Sequence, residues 1–151
     1  MSTFKTLTDA QAAKLAGTAA LNGITVIAED TGDLPTEISE ALGSVGLIVL
    51  LGIPSFKNDT SFSGGINAEV DQQILIQECP SVWRNDPTHP HCQDVAIAVA
   101  AALQGLIAPG FQLLRVVNGE TLGNIKPDPN NPISLQHYKL ELKTRLQIQP
   151  A

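Results

Sequence analysis

Four side chains that can bind a metal or act as nucleophiles lie close together in the sequence, at Cys79, His89, His91 and Cys92. Thiolates and imidazoles are the usual ligands of tetrahedral zinc. Zinc sites normally use C-x2-4-C or H-x3-5-H pairs, whereas His91 and Cys92 are adjacent and Pro90 stiffens the chain before them. The spacing therefore favours structural roles over a metal site.

Cys92 next to His91, at the start of an expected helix, could also be a nucleophile. The helix dipole and a nearby imidazolium both lower the pKa of a thiol. No third group in the sequence is evidently placed to orient the histidine. We therefore expect no enzyme activity and no cofactor, and we keep a small cytosolic cysteine enzyme as the alternative.

Other motifs that bind ligands are missing or incomplete. Glu29, Asp30 and Asp33 do not follow the calcium-loop spacing, and Gly64-Gly65 lacks the lysine of a phosphate-binding loop. No basic patch is interleaved with aromatic residues, which argues against a nucleic-acid-binding module. The chemistry of the side chains thus gives no function by itself, and the elements that position them become the main source of information.

The length of 151 residues and a hydrophobic content of 43% predict one domain over residues 1–151. The expected elements are helices at 6–21, 33–42 and 91–106 and strands at 24–29, 45–53, 67–78, 111–117 and 138–148. Long loops are expected at about 54–66, 79–90 and 118–132. Neighbouring strands joined by loops predict an α+β fold with a mixed, mainly antiparallel sheet of about five strands and helices packed on one face.

The final strand alternates apolar and charged residues with a period of two, which indicates a half-buried strand. Residues 1–100 hold 12 acids and 4 bases, whereas residues 101–151 hold 3 acids and 5 bases. We therefore expect Lys139, Lys143 and Arg145 to form a basic strip that faces an acidic surface of a neighbouring copy. The alternative is that these bases only cover the solvent face of the strand.

Two aromatic residues, Phe56 and Phe62, lie in the expected loop 54–66. A loop of this length is either mobile or used in contacts. We predict that both residues anchor a contact between subunits, with Trp83 as a further candidate. The alternative is that Phe56 and Phe62 fold back onto the sheet of their own subunit.

The order of elements, with Trp83-Arg84-Asn85 before the helix and the alternating last strand, resembles the tail terminator, or tail completion, proteins of long-tailed bacteriophages. The resemblance covers nearly the whole chain and includes no diagnostic motif. It implies a ring, expected to be a hexamer, that caps the tail tube, ends tube polymerisation and joins the tail to the head connector.

The resemblance also implies partners and a location. The partners would be copies of the chain, the tail tube protein and the head-tail connector or neck protein, with DNA only as passing cargo and no membrane. No apolar segment follows the first residues, so assembly in the host cytoplasm and a final place in the virion tail or neck are expected. Another neck, head-completion or baseplate adaptor protein is the nearest alternative.

Overall fold

The computed structural model describes residues 3–29, 34–58, 65–83, 85–125 and 135–148. Its helices are α1 (Thr3–Ala16), α2 (Leu34–Ser44), α3 (Pro80–Trp83) and α4 (Cys92–Leu103), with a 3-10 turn at Ala19–Leu21. Its strands are β1 (Thr25–Ala28), β2 (Leu47–Leu51), β3 (Ser55–Asn58), β4 (Ile66–Glu78), β5 (Arg115–Ile125) and β6 (Leu135–Ile148).

The described strands form one six-stranded sheet in the order β1-β2-β4-β6-β5, and β3 pairs with β4 beside β2. β1 and β2 are parallel, and every other pair is antiparallel. The predicted α+β class with a mixed, mainly antiparallel sheet is confirmed. The sixth strand is β3, which lies inside the segment 54–66 that was expected to be a loop.

Strand β2 is buried on both faces, as its uninterrupted apolar sequence requires. Its residues Leu47, Val49 and Leu51 pack in the core that α1 and α4 cover. The alternate residues Ile48 and Leu50 pack against α2 instead. The helices therefore lie on both faces of the sheet, with α2 opposite α1 and α4, rather than all on one face as expected.

Strand β5 runs from Arg115 to Ile125, so the expected strand 111–117 and loop 118–132 are both displaced. Beyond residue 117 the strand contains Asn118, Gly119 and Gly123, which are poor strand formers. Pairing with β6 over nine Cα partners overrides this local preference. Phe111 lies before the strand, forms an isolated bridge with Leu146, and is buried in a second core cluster.

Two helix ends also differ from their predictions. Helix α1 spans Thr3–Ala16 instead of the expected 6–21. The hydroxyl of Thr8, inside the helix, donates to the carbonyls of Phe4 and Lys5. Segment 79–90 contains the short helix α3. Helix α4 spans Cys92–Leu103 within the expected range 91–106, and it carries Asp94 in its first turn.

Candidate subunit interface

One face of the sheet is lined by charged residues of β4, β6 and β5. In β6, Leu140, Leu142 and Leu146 face the core. The intervening residues Lys139, Lys143 and Arg145 must therefore point to the other face. The period of two in the sequence correctly predicted this division of the final strand.

The lysines of this face are paired within their own subunit. Lys143 Nζ lies 2.9 Å from Glu69 Oε1 and 3.2 Å from Asp71 Oδ1, both on β4. Lys139 Nζ lies 3.0 Å from Glu120 on β5 and 3.3 Å from Glu141. The partners follow from the register, because β4 and β5 flank β6 and place their acids opposite its bases.

These contacts stabilise the charged forms of the paired groups. The hydrogen bond to Lys143 lowers the pKa of Glu69, and the hydrogen bonds to Glu69 and Asp71 raise the pKa of Lys143. The pKa of Lys139 is raised mainly by its hydrogen bonds to Glu120 and Glu141. The two lysines thus already have acidic partners, and their predicted contact with a neighbouring copy stays a prediction.

Arg145 extends the charged face toward the end of β6. Its Nε and Nη2 atoms donate to Asn67 Oδ1 over 3.3 and 3.2 Å. A cavity of about 370 Å³ lies beside it, lined by Arg115, Lys143 and Arg145 with Glu69 as the single carboxylate. This corner of the sheet therefore carries net positive charge, although the chain as a whole has a net charge of −6.

A second cavity of about 410 Å³ opens on the same face between β2 and β6. Its ionisable lining consists of Glu29, Asp71, Glu141 and Lys143. Glu29 accepts a hydrogen bond from the backbone of Ile53, and Asp71 is bound to Lys143. The three acids already have hydrogen-bond or ion-pair partners. No cluster of metal-ligating side chains occurs in the described residues.

Phe56 lies on β3 and is 53% exposed. Its ring contacts Phe4 of α1 with the two ring centroids 5.9 Å apart. Phe56 therefore contacts its own subunit through Phe4, while about half of its surface is exposed to solvent. Phe62 lies outside the described residues.

Trp83 lies in the core and is only 3% exposed. Its indole nitrogen donates to the carbonyl of Pro90 over 2.7 Å, and its ring stacks on His89 with centroids 3.8 Å apart. His89 in turn contacts the Trp83 carbonyl through Nδ1 at 2.7 Å. These contacts connect α3 to the segment that precedes α4. Trp83 is therefore a core residue, and its ring is not exposed for contact with a neighbouring subunit.

The cysteines are also internal. Cys79 and Cys92 are both buried thiols outside any disulfide, and Cys92 is 2% exposed at the start of α4. The Sγ atom of Cys92 lies 3.7 Å from Gln93 Oε1 and 3.8 Å from Gln136 Oε1. A substrate cannot reach a thiol that is buried in this way, which removes the geometric basis for the cysteine nucleophile.

His137 lies on the same face of β6 as Lys139. It is half-buried, and its Nε2 atom is buried without a hydrogen-bond partner in the described part of the chain. Burial lowers the pKa of this imidazole. The neutral form is therefore favoured at this position.

A group of exposed apolar side chains was not identified from the sequence. Ile97 on the outward side of α4 is 66% exposed, and Ile107 and Leu113 beyond the helix are also exposed. The sequence does indicate an uncharged segment here, because no Asp, Glu, Lys or Arg occurs from Val95 to Leu114. A helix that is apolar on all sides is normally buried on all sides.

Three strands of the sheet have one side on which no described strand is paired. β1 pairs with β2, β5 pairs with β6, and β3 pairs with β4. A groove of about 520 Å³ follows β1 and is walled by α2, including Glu37 and Glu40. On β5 the exposed apolar residues are Val117 and Leu122. None of the described helices is long and apolar enough to cross a membrane.

Comparison with known proteins gives a likeness of fold. No protein-family model matches the chain, and no curated protein sequence matches it. The fold is similar to that of a chain in the solved virion of a native gene transfer agent (GTA) particle, with a TM-score of 0.54 and 17% sequence identity. The likeness covers 95% of this chain and 94% of the other, so it describes the whole fold rather than one shared motif.

Proposed function

We propose that this chain is a structural protein of a phage virion that forms a ring on the end of the tail tube. In this role it ends tube polymerisation and joins the tail to the head connector. The protein works by shape and by contacts between subunits, without catalysing a reaction. Its partners are copies of itself, the tube protein and the connector or neck protein.

The observation that carries this proposal is the full-length likeness of fold to a chain of the GTA virion. Both chains are covered almost completely, so a similar subunit is used in a particle assembled from many protein copies. The order of elements in the sequence independently resembles tail terminators. The two lines of support agree on a virion component, and the resemblance adds the position at the end of the tail.

The surface of the subunit fits this role. Large apolar side chains at Ile97, Ile107 and Phe56 are exposed on a small domain. Exposed apolar side chains of this size are available for contacts between proteins. The buried Cys92 supports the absence of cysteine chemistry, and the net charge of −6 suits a channel that passes DNA without holding it.

The experiment is electron microscopy of the purified protein over a range of concentrations, alone and during polymerisation of its tube protein. We expect rings, with six-fold symmetry, and tubes that carry a ring at one end and stop growing. Rings that bind the connector but leave tube length unchanged would instead identify a head-completion or adaptor protein. A protein that stays monomeric and leaves the tubes unaltered would refute the proposal.

Phe56→Ala tests the predicted anchor in the same assay. Phe56 is half-exposed, so its loss should leave the subunit folded while weakening ring formation or capping. Leu113→Ala is the matched control, since Leu113 is exposed to a similar extent but lies in the segment before β5. Equal effects of both variants would show that Phe56 has no special part in assembly.

A further inference from the structure

We infer that a basic corner of the sheet binds the acidic outer side of helix α2 in the next copy of the chain. The basic corner consists of four residues on β3, β5 and β6, namely Lys57, Arg115, Lys143 and Arg145. The inference rests on the proposed function, because it names a contact through which the copies associate. Such a head-to-tail contact between two different surfaces produces a closed ring when the rotation between subunits permits closure.

Two rows of paired residues across the sheet bring these bases together. In the first row, Glu69 on β4 is the Cα partner of both Lys57 and Arg145. Lys143 also contacts Glu69 over 2.9 Å. The hydrogen bond and charge of Lys143, followed by the charges of Arg145 and Lys57, lower the pKa of this carboxyl group. One carboxylate therefore lies among three bases.

The second row adds Arg115. Its Cα partner is Lys143, which is also paired with Asp71 and binds the carboxylate of that residue. Arg115 is exposed, and its guanidinium has no hydrogen-bond or ion-pair partner in the described part of the chain. The basic corner thus combines four bases with two acids, an excess of two positive charges in a chain whose net charge is −6.

A surface of opposite charge lies on α2. Residues 15–56, which include β1 and α2, contain five acids and no base. Glu37 and Glu40 are both exposed on α2. Within the described residues, the Glu40 carboxylate has no hydrogen-bond or ion-pair partner. The charges of the two surfaces are therefore complementary, and each surface includes one group that its own subunit leaves to solvent.

The two surfaces share one face of the sheet but lie on opposite sides of the subunit. Leu75 packs with the cluster under α2 and is the Cα partner of Lys139, so α2 lies over the face that carries the bases of β6. α2 covers β1 and β2, whereas β6 and β5 form the other end of the strand order. Lys57 and Arg115 are exposed, so α2 leaves this part of the face open in its own subunit. In adjacent copies, the raised helix of one can thus lie beside the open corner of the next.

The same positive charge could attract the phosphates of DNA, but the acids within the corner disfavour this partner. The side chains of Glu69 and Asp71 are 45% and 50% exposed beside the bases. Duplex DNA carries about one negative charge per 1.7 Å of its axis, so it would bring several phosphates close to these carboxylates. The separate carboxylates of α2 can contact the bases without this repulsion. The geometry therefore favours a second copy of the chain.

Charge reversal tests the contact. Arg115→Glu breaks no side-chain hydrogen bond of the described residues, and Glu40→Arg changes an exposed side chain, so both variants should fold. Each should raise the protein concentration needed for ring assembly by roughly 2- to 10-fold, since exposed ion pairs are weak individually. Lys14→Glu is the matched control, because it changes the net charge as Arg115→Glu does but lies on α1, which covers the opposite face. It should leave assembly unchanged.

Mixing the two variants gives a further test. Positions 115 and 40 both carry acids in Arg115→Glu and both carry bases in Glu40→Arg, so like copies repel at this contact and unlike copies attract. An equimolar mixture should regain the assembly of the parent protein in rings with an even number of subunits. The double variant Arg115→Glu with Glu40→Arg should regain it alone. If neither recovers, while both single variants are weakened and folded, the inferred contact is wrong.

The outcomes also separate this inference from the proposed function. Rings that form equally well with Arg115→Glu and with Glu40→Arg would overturn the contact and leave the ring intact. Unchanged rings with weaker binding of duplex DNA by Arg115→Glu would assign the basic corner to nucleic acid instead. A parent protein that stays monomeric would refute both proposals. Circular dichroism verifies the fold, and Arg115→Gln and Glu40→Gln repeat the test without a new charge if a reversal variant unfolds.

Discussion

Gln11 of α1 and Gln72 of β4 exchange two side-chain hydrogen bonds inside the core. Gln11 Nε2 donates to Gln72 Oε1 over 2.5 Å, and Gln72 Nε2 donates to Gln11 Oε1 over 2.9 Å. Gln72 Nε2 also reaches the carbonyl of Gly52 at 3.1 Å. Both residues are buried, so this polar pair fixes α1 on the sheet through groups that have no access to water.

Gln72→Leu should destabilise the subunit by about 1–3 kcal/mol, because it leaves the buried amide of Gln11 without its partner. The double variant Gln11→Leu with Gln72→Leu should cost less than the sum of the single variants, since it removes both polar groups together. Urea unfolding of the four proteins measures this coupling. Additive effects would show that the two amides act independently.

Gly46 connects α2 to β2 with a φ of +92°, and a Cβ atom at this position would lie 2.4 Å from the backbone nitrogen of Trp83. Gly46→Ala should therefore lower the free energy of unfolding by roughly 1–3 kcal/mol more than the backbone strain alone would. Gly105→Ala is the matched control, because Gly105 has a φ of +84° and open space around it. Gly105→Ala should lower the free energy of unfolding by about 1–2 kcal/mol. Thermal or urea unfolding distinguishes the two, and equal losses would contradict the close approach to Trp83.

The strongest periodic segments could be predicted from the sequence. The 3.6-residue periodicity of Val95, Ala98, Val99, Ala102, Leu103 and Leu106 predicts the inner side of α4. The structure buries Val95, Val99 and Leu103 fully and the other three partly. The uninterrupted apolar run at 45–53 predicted β2 for a similar reason. An apolar run of this kind also indicates that both faces of the strand are covered, and the prediction of helices on one face did not take this into account.

Elements formed through distant pairing could not be predicted locally. Strand β3 and the part of β5 beyond residue 117 contain turn-forming and polar residues, and the partners that order them lie on β4 and β6. The same holds for the candidate interface. The period of two placed Lys143 on the outer face, but only the register with Asp71 shows that its charge is already paired. Likewise, the carbonyl of Pro90 that holds Trp83 in the core is not visible in the sequence.

Lys143→Met should lower stability near neutral pH, and the loss should shrink at acidic pH and in salt. Glu69 has a pKa below its ordinary value of 4.5 in the fold, so its contribution is present above that value and is lost as the pH falls through the folded pKa. Urea unfolding at about pH 7 and about pH 3 measures the change. Because the pair is exposed, about 1 M salt should screen most of it.

Lys143→Gln with Arg145→Gln is the appropriate variant for testing assembly by the basic strip. Replacement of both residues by glutamate would add a carboxylate beside Glu69 and Asp71 and thereby destabilise the subunit itself. The neutral pair avoids this repulsion. Unchanged ring assembly with the neutral pair would contradict a role for the strip between subunits.

The two thiols should react only as the subunit unfolds. Cys79 and Cys92 are both buried, so labelling by an aromatic disulfide should be slow in native protein and should accelerate with urea in parallel with global unfolding. Ile97→Cys provides the control, because this position lies on the same helix as Cys92 but is largely exposed, and it should label at once. Rapid labelling of Cys92 in the native protein, with a midpoint shifted to low pH, would instead reveal an accessible thiolate and support the cysteine-enzyme alternative. A buried thiol whose reaction follows unfolding is a packing residue at the start of α4, as the core around it requires.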